Sequence, residues 1–126
     1  MLVDDDQDIL LVASKGLQNE GYNVHEFSDP IAALQHVEDG CKECNVLVTD
    51  LRMPHMNGFE LIRRIRKIRP HMRLIMMTAF ELNMSEFEAV FPSAQIDNVL
   101  KKPFRIAELA ETIKKIYREN QSETLR

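Results

Sequence analysis

Four short apolar runs in this 126-residue chain each lead into a side chain that can do chemistry. Leu2-Val3 runs into Asp4-Asp5-Asp6, Val46-Leu47-Val48-Thr49 into Asp50, a Met-rich run into Thr78, and Val99-Leu100-Lys101 into Lys102. If each run is a strand of one parallel sheet, the carboxyl ends lie along one edge and these groups can converge there. Three carboxylates in one pocket repel by on the order of a few kcal/mol per close pair. Such a cluster must hold protons or a cation. A hard divalent ion suits oxygen ligands, and Mg²⁺ keeps several waters where few carboxylates bind it. Lys102 would add a point positive charge and Thr78 a hydroxyl donor. Carboxylate, Mg²⁺, ammonium and hydroxyl together suit an incoming phosphoryl group. Taken alone, Asp50 could equally cap a helix or a turn.

The elements that must position these groups follow from periodicity. Asp5 or Asp6 can cap a helix over 7–19 with Ile9, Leu10, Ala13 and Leu17 on its apolar stripe, ended by Gly21. A half-alternating strand is expected over 22–27. Ser28-Asp29-Pro30 then starts a helix carrying Ile31, Leu34 and Val37, closed by Gly40. A third strand is expected over 45–49. Pro54 and Asn57-Gly58 force a loop. A helix over 59–69 follows, burying Leu61, Ile62, Ile65 and Ile68 and pointing Arg63, Arg64, Arg66, Lys67 and Arg69 outward, until Pro70 stops it. A fourth strand spans 73–78. Ser85 and Glu88 are spaced as a capping box for a fourth helix, although Pro92 follows soon after. A fifth strand over 97–101 and a helix over 105–119 complete the alternation. The polar stretch 120–126 is expected to fray. Strand and helix alternating five times imply an α/β fold: a parallel sheet covered on both faces, with right-handed crossovers.

Bulk properties narrow the field. The length suits one domain, and 44% hydrophobic residues suffice for a core. A net charge of −4 argues against direct nucleic-acid binding and against an anionic membrane surface. With no apolar run of membrane-spanning length and no signal-peptide pattern, a cytoplasmic location is the expectation.

The segments Leu2-Val3-Asp4-Asp5-Asp6, Val48-Thr49-Asp50 with Met53-Pro54 and Asn57-Gly58, Met77-Thr78-Ala79 and Lys101-Lys102-Pro103-Phe104 resemble the receiver domain of two-component response regulators, the CheY-like family. They span nearly the whole chain in family order. The resemblance implies a five-stranded sheet of order 2-1-3-4-5 in a three-layer (βα)5 fold, with the receiver over 1–119 and a polar tail over 120–126. It implies that Asp50 accepts a phosphoryl group, that Asp5 binds Mg²⁺ directly with help from Asp4, and that the Arg52 backbone carbonyl completes the protein ligands. Lys102 would pair with the phosphoryl oxygens and Thr78 would hydrogen-bond them. The implied donor is a sensor histidine kinase or phosphotransfer protein. The implied output runs through the fourth helix, fifth strand and fifth helix to an unknown partner, from a monomer or weak dimer. The chain would be no enzyme beyond its own phosphorylation and dephosphorylation. It could be a stand-alone receiver or an excised one.

Three departures bear on the switch. Val99 stands where the family often carries an aromatic, the segment from Thr78 to Lys102 is slightly long, and Arg52 and Phe80 occupy positions that modulate dephosphorylation in this family. Lys102 must turn back toward the pocket straight after a strand, so a cis Lys102-Pro103 bond is expected. An aspartyl-phosphate phosphohydrolase of the haloacid dehalogenase type would want a second Asp where Arg52 stands. A flavin site would want a glycine- or Ser/Thr-rich phosphate loop. Asp6 reads as a helix cap rather than a ligand. Cys41-Lys42-Glu43-Cys44 is half a zinc site at best, lacks a second pair, and precedes a strand where a redox motif would open a helix. These read as incidental thiols. His25, His36, His55 and His71 show no ligand spacing and read as surface residues. Met72, Met76 and Met77 read as core.

Overall fold

A computed structural model of the chain describes residues 1–79 and 96–124. The strands are β1 (Leu2–Val3), β2 (Glu26–Phe27), β3 (Val46–Asp50), β4 (Arg73–Thr78) and β5 (Asn98–Lys101). The helices are α1 (Gln7–Asn19), α2 (Pro30–Glu38), α3 (Gly58–Ile68) and α4 (Ile106–Thr124). The strands form one parallel sheet in the order β2-β1-β3-β4-β5. The expected helix opening near Ser85 lies outside the described residues.

Period-2 alternation along the strands divides the core into two layers. Val3, Leu47, Leu74 and Met76 pack under α2 and α3 with Ala33, Val37, Leu61, Ile62 and Ile65. Leu2, Val48, Ile75 and Met77 pack under α1 and α4 with Leu10, Ala13, Leu17, Leu109 and Ile113. The three methionines at 72, 76 and 77 are core residues, each at most 3% exposed. With both faces covered, the central strands read as nearly continuous apolar runs, as parallel strands do.

The caps fix where each helix begins. Asp6 accepts from the backbone N–H groups of Asp8 and Ile9 at the start of α1. Asp29 does so for Ile31 ahead of Pro30 in α2, and Asn57 for Glu60 in α3. Gly21 and Gly40 take positive φ where α1 and α2 leave off.

Several expectations are corrected. β2 pairs only at Glu26 and Phe27, because β1 offers ladder partners only at Leu2 and Val3. Tyr22 instead stacks on Tyr117, and Val24 packs against the α1–α4 core. Ile31 and Ile68 are 50% and 41% exposed, since they fall outside the arc each helix turns inward. Arg66 and Arg69 do not simply face solvent: Arg66 donates to the carbonyls of Pro70 and Met72, and Arg69 to those of Cys41 and Cys44. The last helix runs on to Thr124, beyond the expected end at 119, as no Gly or Pro interrupts it.

Gly58 sets the geometry of the β3–α3 junction. Its N–H donates to the Leu51 carbonyl at 2.8 Å. An added Cβ would run into the Asp50 carbonyl oxygen and lie 3.1 Å from Leu51 Cα. That obstacle is backbone and cannot rotate away. Gly58→Ala is therefore expected to cost about 2 kcal/mol by overpacking. The melting temperature should fall by roughly 7 °C, and phosphoryl incorporation should slow as Asp50 is displaced. A variant melting with the wild type would show that the junction opens freely.

Candidate functional site

The four strand tips converge as the sequence anticipates. Asp50 is the last residue of β3 and Thr78 the last of β4, while Asp4 follows β1 and Lys102 follows β5. Asp4, Asp50 and Thr78 are buried, at 0%, 8% and 1% exposure. Asp5 is exposed at the rim. One carboxylate oxygen from each of Asp4, Asp5 and Asp50 lies within 4.8 Å of the others. Asp50, Leu51, Arg52, Thr78, Ala79 and Lys102 line a cavity of about 140 Å³ over the sheet edge.

Lys102 ties the cluster together. Its Nζ donates to Asp4 Oδ2 at 2.7 Å and stands 3.1 Å from Asp50 Oδ1. The chain reverses here through a cis Lys102-Pro103 bond, as expected. The Lys102 N–H donates to the Thr78 carbonyl at 2.7 Å, so the lysine and threonine tips are locked side by side. Asp4 Oδ1 accepts from the Asp6 N–H at 2.9 Å, which turns the chain into α1. Asp6 is thus the cap and no part of the cluster.

The electrostatics follow from this packing. Burial, then the neighbouring Asp4 charge, pushes the Asp50 carboxyl above its usual range, against the opposing pull of Lys102. Burial works against the Lys102 ammonium, but Asp4 and Asp50 together outweigh it and its pKa rises. The pocket gathers three carboxyl groups around one ammonium. The oxygen-only donor set, crowded and partly open to solvent, fits a hard divalent ion.

The loop leaving Asp50 carries a positive φ of 73° at His55, a conformation non-glycine residues seldom adopt. Val99, half-buried in β5 beside Met76, packs against the α2–α3 core. Phe80 lies outside the described residues. The part played by Gly58 was not anticipated. Its signal was the Asn57-Gly58 pair, which marks a turn without revealing that the Asp50 backbone passes behind it.

Residues 1–114 match the family described as the response regulator receiver domain. Among curated relatives, a sensor kinase CckA of Brucella abortus is 31% identical over 92% of this chain, which spans only 12% of that kinase. The response regulator receiver protein CpdR of the same organism is 30% identical, with 92% of this chain and 93% of that protein covered. Among solved structures, a CheY-like receiver domain protein from Methanospirillum hungatei superposes with a TM-score of 0.85 at 32% identity, covering 97% of this chain and 94% of that one. TrrA from Thermotoga maritima, solved in complex with Mg²⁺-BeF, superposes at 0.75 with 29% identity, covering 90% and 94%. An acid at the tip of β3, a lysine turned back over it and a sheet ordered β2-β1-β3-β4-β5 agree with that match along nearly the whole length: the chain belongs to the response regulator receiver family.

Proposed function

We propose that this chain is a phosphoacceptor of a two-component phosphorelay, with Asp50 as the residue modified. The observation that carries the reading is Lys102 bridging Asp4 and Asp50 at 2.7 and 3.1 Å beside Thr78, at one sheet edge. A carboxylate oxygen of Asp50 attacks phosphorus in line with the donor's bond. For a phosphohistidine donor the P–N bond breaks, its electron pair stays on the imidazole, and Asp50 becomes an acyl phosphate. Lys102 neutralises a phosphoryl oxygen, and the Thr78 hydroxyl donates to another. Asp4, Asp5 and Asp50, with the Arg52 carbonyl, would hold Mg²⁺. Bound there, Mg²⁺ supplies a Lewis-acidic charge against the phosphoryl oxygens. The complex of TrrA with Mg²⁺-BeF supports that ligand class.

In this reading the chain catalyses only its own phosphorylation and dephosphorylation. Its donor is a sensor histidine kinase or phosphotransfer protein. The modified state is read by a partner at β5, α4 and the segment before them. Val99 is stiff and too short to replace a swinging ring. The response is then assigned to the segment that follows Thr78, which beyond Ala79 lies outside the described residues.

Incubation with a radiolabelled phosphohistidine phosphotransfer domain tests the reading. Label should leave the histidine and appear on this chain only when Mg²⁺ is present. Label staying on the donor with every such domain tried, and no label from acetyl phosphate, would overturn it.

Mg²⁺ should also stabilise the fold by mass action. At about a hundred times Kd the gain is about 2.7 kcal/mol, which is roughly 8 °C in melting temperature. Asp5→Asn, at the exposed rim, should weaken Mg²⁺ binding at least about tenfold. A melting curve indifferent to Mg²⁺ would remove the ion from the site.

A further inference from the structure

At the opposite edge of the sheet, where strands begin and helices end, a second constellation assembles. His25 immediately precedes β2, His36 lies in the last turn of α2, and Cys41 and Cys44 lie in the loop between α2 and β3. Their separation in sequence hides what the parallel topology does: the start of β2, the end of α2 and the approach to β3 all fall at the amino edge. One ligand atom from each of these four residues lies within 4.8 Å of the other three. The histidine rings are 4.9 Å apart between centroids, and the two sulfurs, both free thiols, are 2.6 Å apart. Their spacing in sequence shows no ligand pattern; the fold nonetheless brings them together.

A second observation points to a ligand. His36 Nε2 is buried and has no hydrogen-bond partner among the described residues. Burial of an unpaired ring nitrogen is costly, and such atoms in folded proteins usually have a partner, an ion included. The surroundings hold the set in place. Phe27 packs against the His36 ring at 5.2 Å. Arg69 reaches across from the end of α3 and donates to the backbone carbonyls of Cys41 and, at 3.1 Å, of Cys44. Glu43 Oε2 lies 3.4 Å from His25 Nε2, where a carboxylate can orient a ligating ring.

We propose that His25, His36, Cys41 and Cys44 form a structural site for one zinc ion at the amino edge of the sheet, remote from Asp50. Two sulfurs and two imidazole nitrogens are the donor set of tetrahedral structural zinc, and their softness disfavours Mg²⁺ or Ca²⁺. With both thiols deprotonated and both imidazoles neutral, the loaded site carries no net charge, which suits its half-buried position. Binding releases the two thiol protons to solvent. A Zn–S bond of about 2.3 Å in a tetrahedron sets two sulfurs about 3.8 Å apart. The Cys41 side chain, half-buried on its loop, supplies that adjustment, whereas Cys44 is fixed at 1% exposure. With four protein ligands the site has no open position, so its role is to fasten rather than to catalyse. It fastens β2, an edge strand with only two ladder residues, to the end of α2 and the start of β3.

The test uses the full chain, purified under reducing conditions without chelator. Elemental analysis and native mass should show about one zinc per chain, as a four-ligand structural site holds. After chelation, Co²⁺ should restore a thiolate-to-metal charge-transfer band and an intense tetrahedral visible spectrum. Cys41→Ser and His36→Gln should each weaken zinc binding at least about a hundredfold, and Asp50→Asn should leave it unchanged. Cys41 and His36 are preferred because neither is a fully buried core residue. Three results would each overturn the proposal: no stoichiometric zinc and no cobalt spectrum in the reduced protein, a Cys41–Cys44 disulfide that persists with zinc present under reductant, or undiminished zinc in a Cys41→Ser, His36→Gln double variant.

Discussion

Asp50→Asn is expected to abolish phosphoryl incorporation from acetyl phosphate while raising the melting temperature of the metal-free protein. The two effects have one cause. Asp50 sits at the tip of β3, 8% exposed, with its carboxyl pushed above the usual range by burial and by Asp4. Ionising it in the folded state therefore opposes folding, and Lys102 offsets only part of that. Asparagine keeps the shape, removes the charge and removes the nucleophile. The gain should be about 1 kcal/mol, the scale of one partly screened like-charge pair, or roughly 4 °C. The pH dependence gives the sign. A carboxyl whose folded pKa is raised keeps its proton in the folded state at pH values where the unfolded chain has lost it. Stability then falls as pH rises from the ordinary value of 3.8 through the raised folded value. The variant lacks that decline, so its advantage should grow across this window and stay level toward neutral pH. Melting curves over the pH range check it; a variant less stable than wild type at neutral pH without Mg²⁺ would contradict it.

Lys102→Ala should have the opposite effect on stability and an equally large one on chemistry. The ammonium is 17% exposed on its side chain and is bonded to Asp4, which is 0% exposed. Removing it strands a buried carboxylate beside a second one. Breaking one partner out of a buried pair costs about 3 kcal/mol, which is roughly 10 °C here. Mg²⁺ should recover part of this loss, since it supplies positive charge to the same oxygens. Phosphoryl incorporation should fall by about a hundredfold, the scale of losing one preorganised charge stabiliser. Lys102→Arg should restore stability more than rate, because a planar fork cannot place its charge where a compact ammonium does. Calorimetry and a timed mass assay on the same samples separate the two; equal melting of Lys102→Ala and wild type would show that Asp4 has another partner.

The sequence carried the parts of this fold that local chemistry decides. The run Arg73–Thr78 was legible as β4 and Gln7–Asn19 as α1, because strand composition and cap-to-stop signals coincide there. The site was legible too, since a parallel sheet forces strand tips to one edge whatever the details between. Pairing and packing were less visible. The truncation of β2 depends on how much of β1 lies beside it, and the exposure of Ile31 and Ile68 depends on which arc of each helix faces the sheet. The His25, His36, Cys41 and Cys44 cluster was missed for the same reason that Asp50 was found. Both are gathered by topology at a sheet edge, but at the amino edge the ligands come from a strand start, a helix end and a loop, with no shared motif to mark them. His36, five residues before Cys41, was the available signal.

In the proposed reaction Asp50 itself becomes an acyl phosphate. The direct measurement is intact mass after incubation with acetyl phosphate and Mg²⁺, followed by borohydride trapping and peptide sequencing. One phosphoryl group should add to the chain, the addition should require Mg²⁺, and the reduced residue should map to position 50. Incorporation that maps to another residue, or that persists undiminished in Asp50→Asn, would contradict the account.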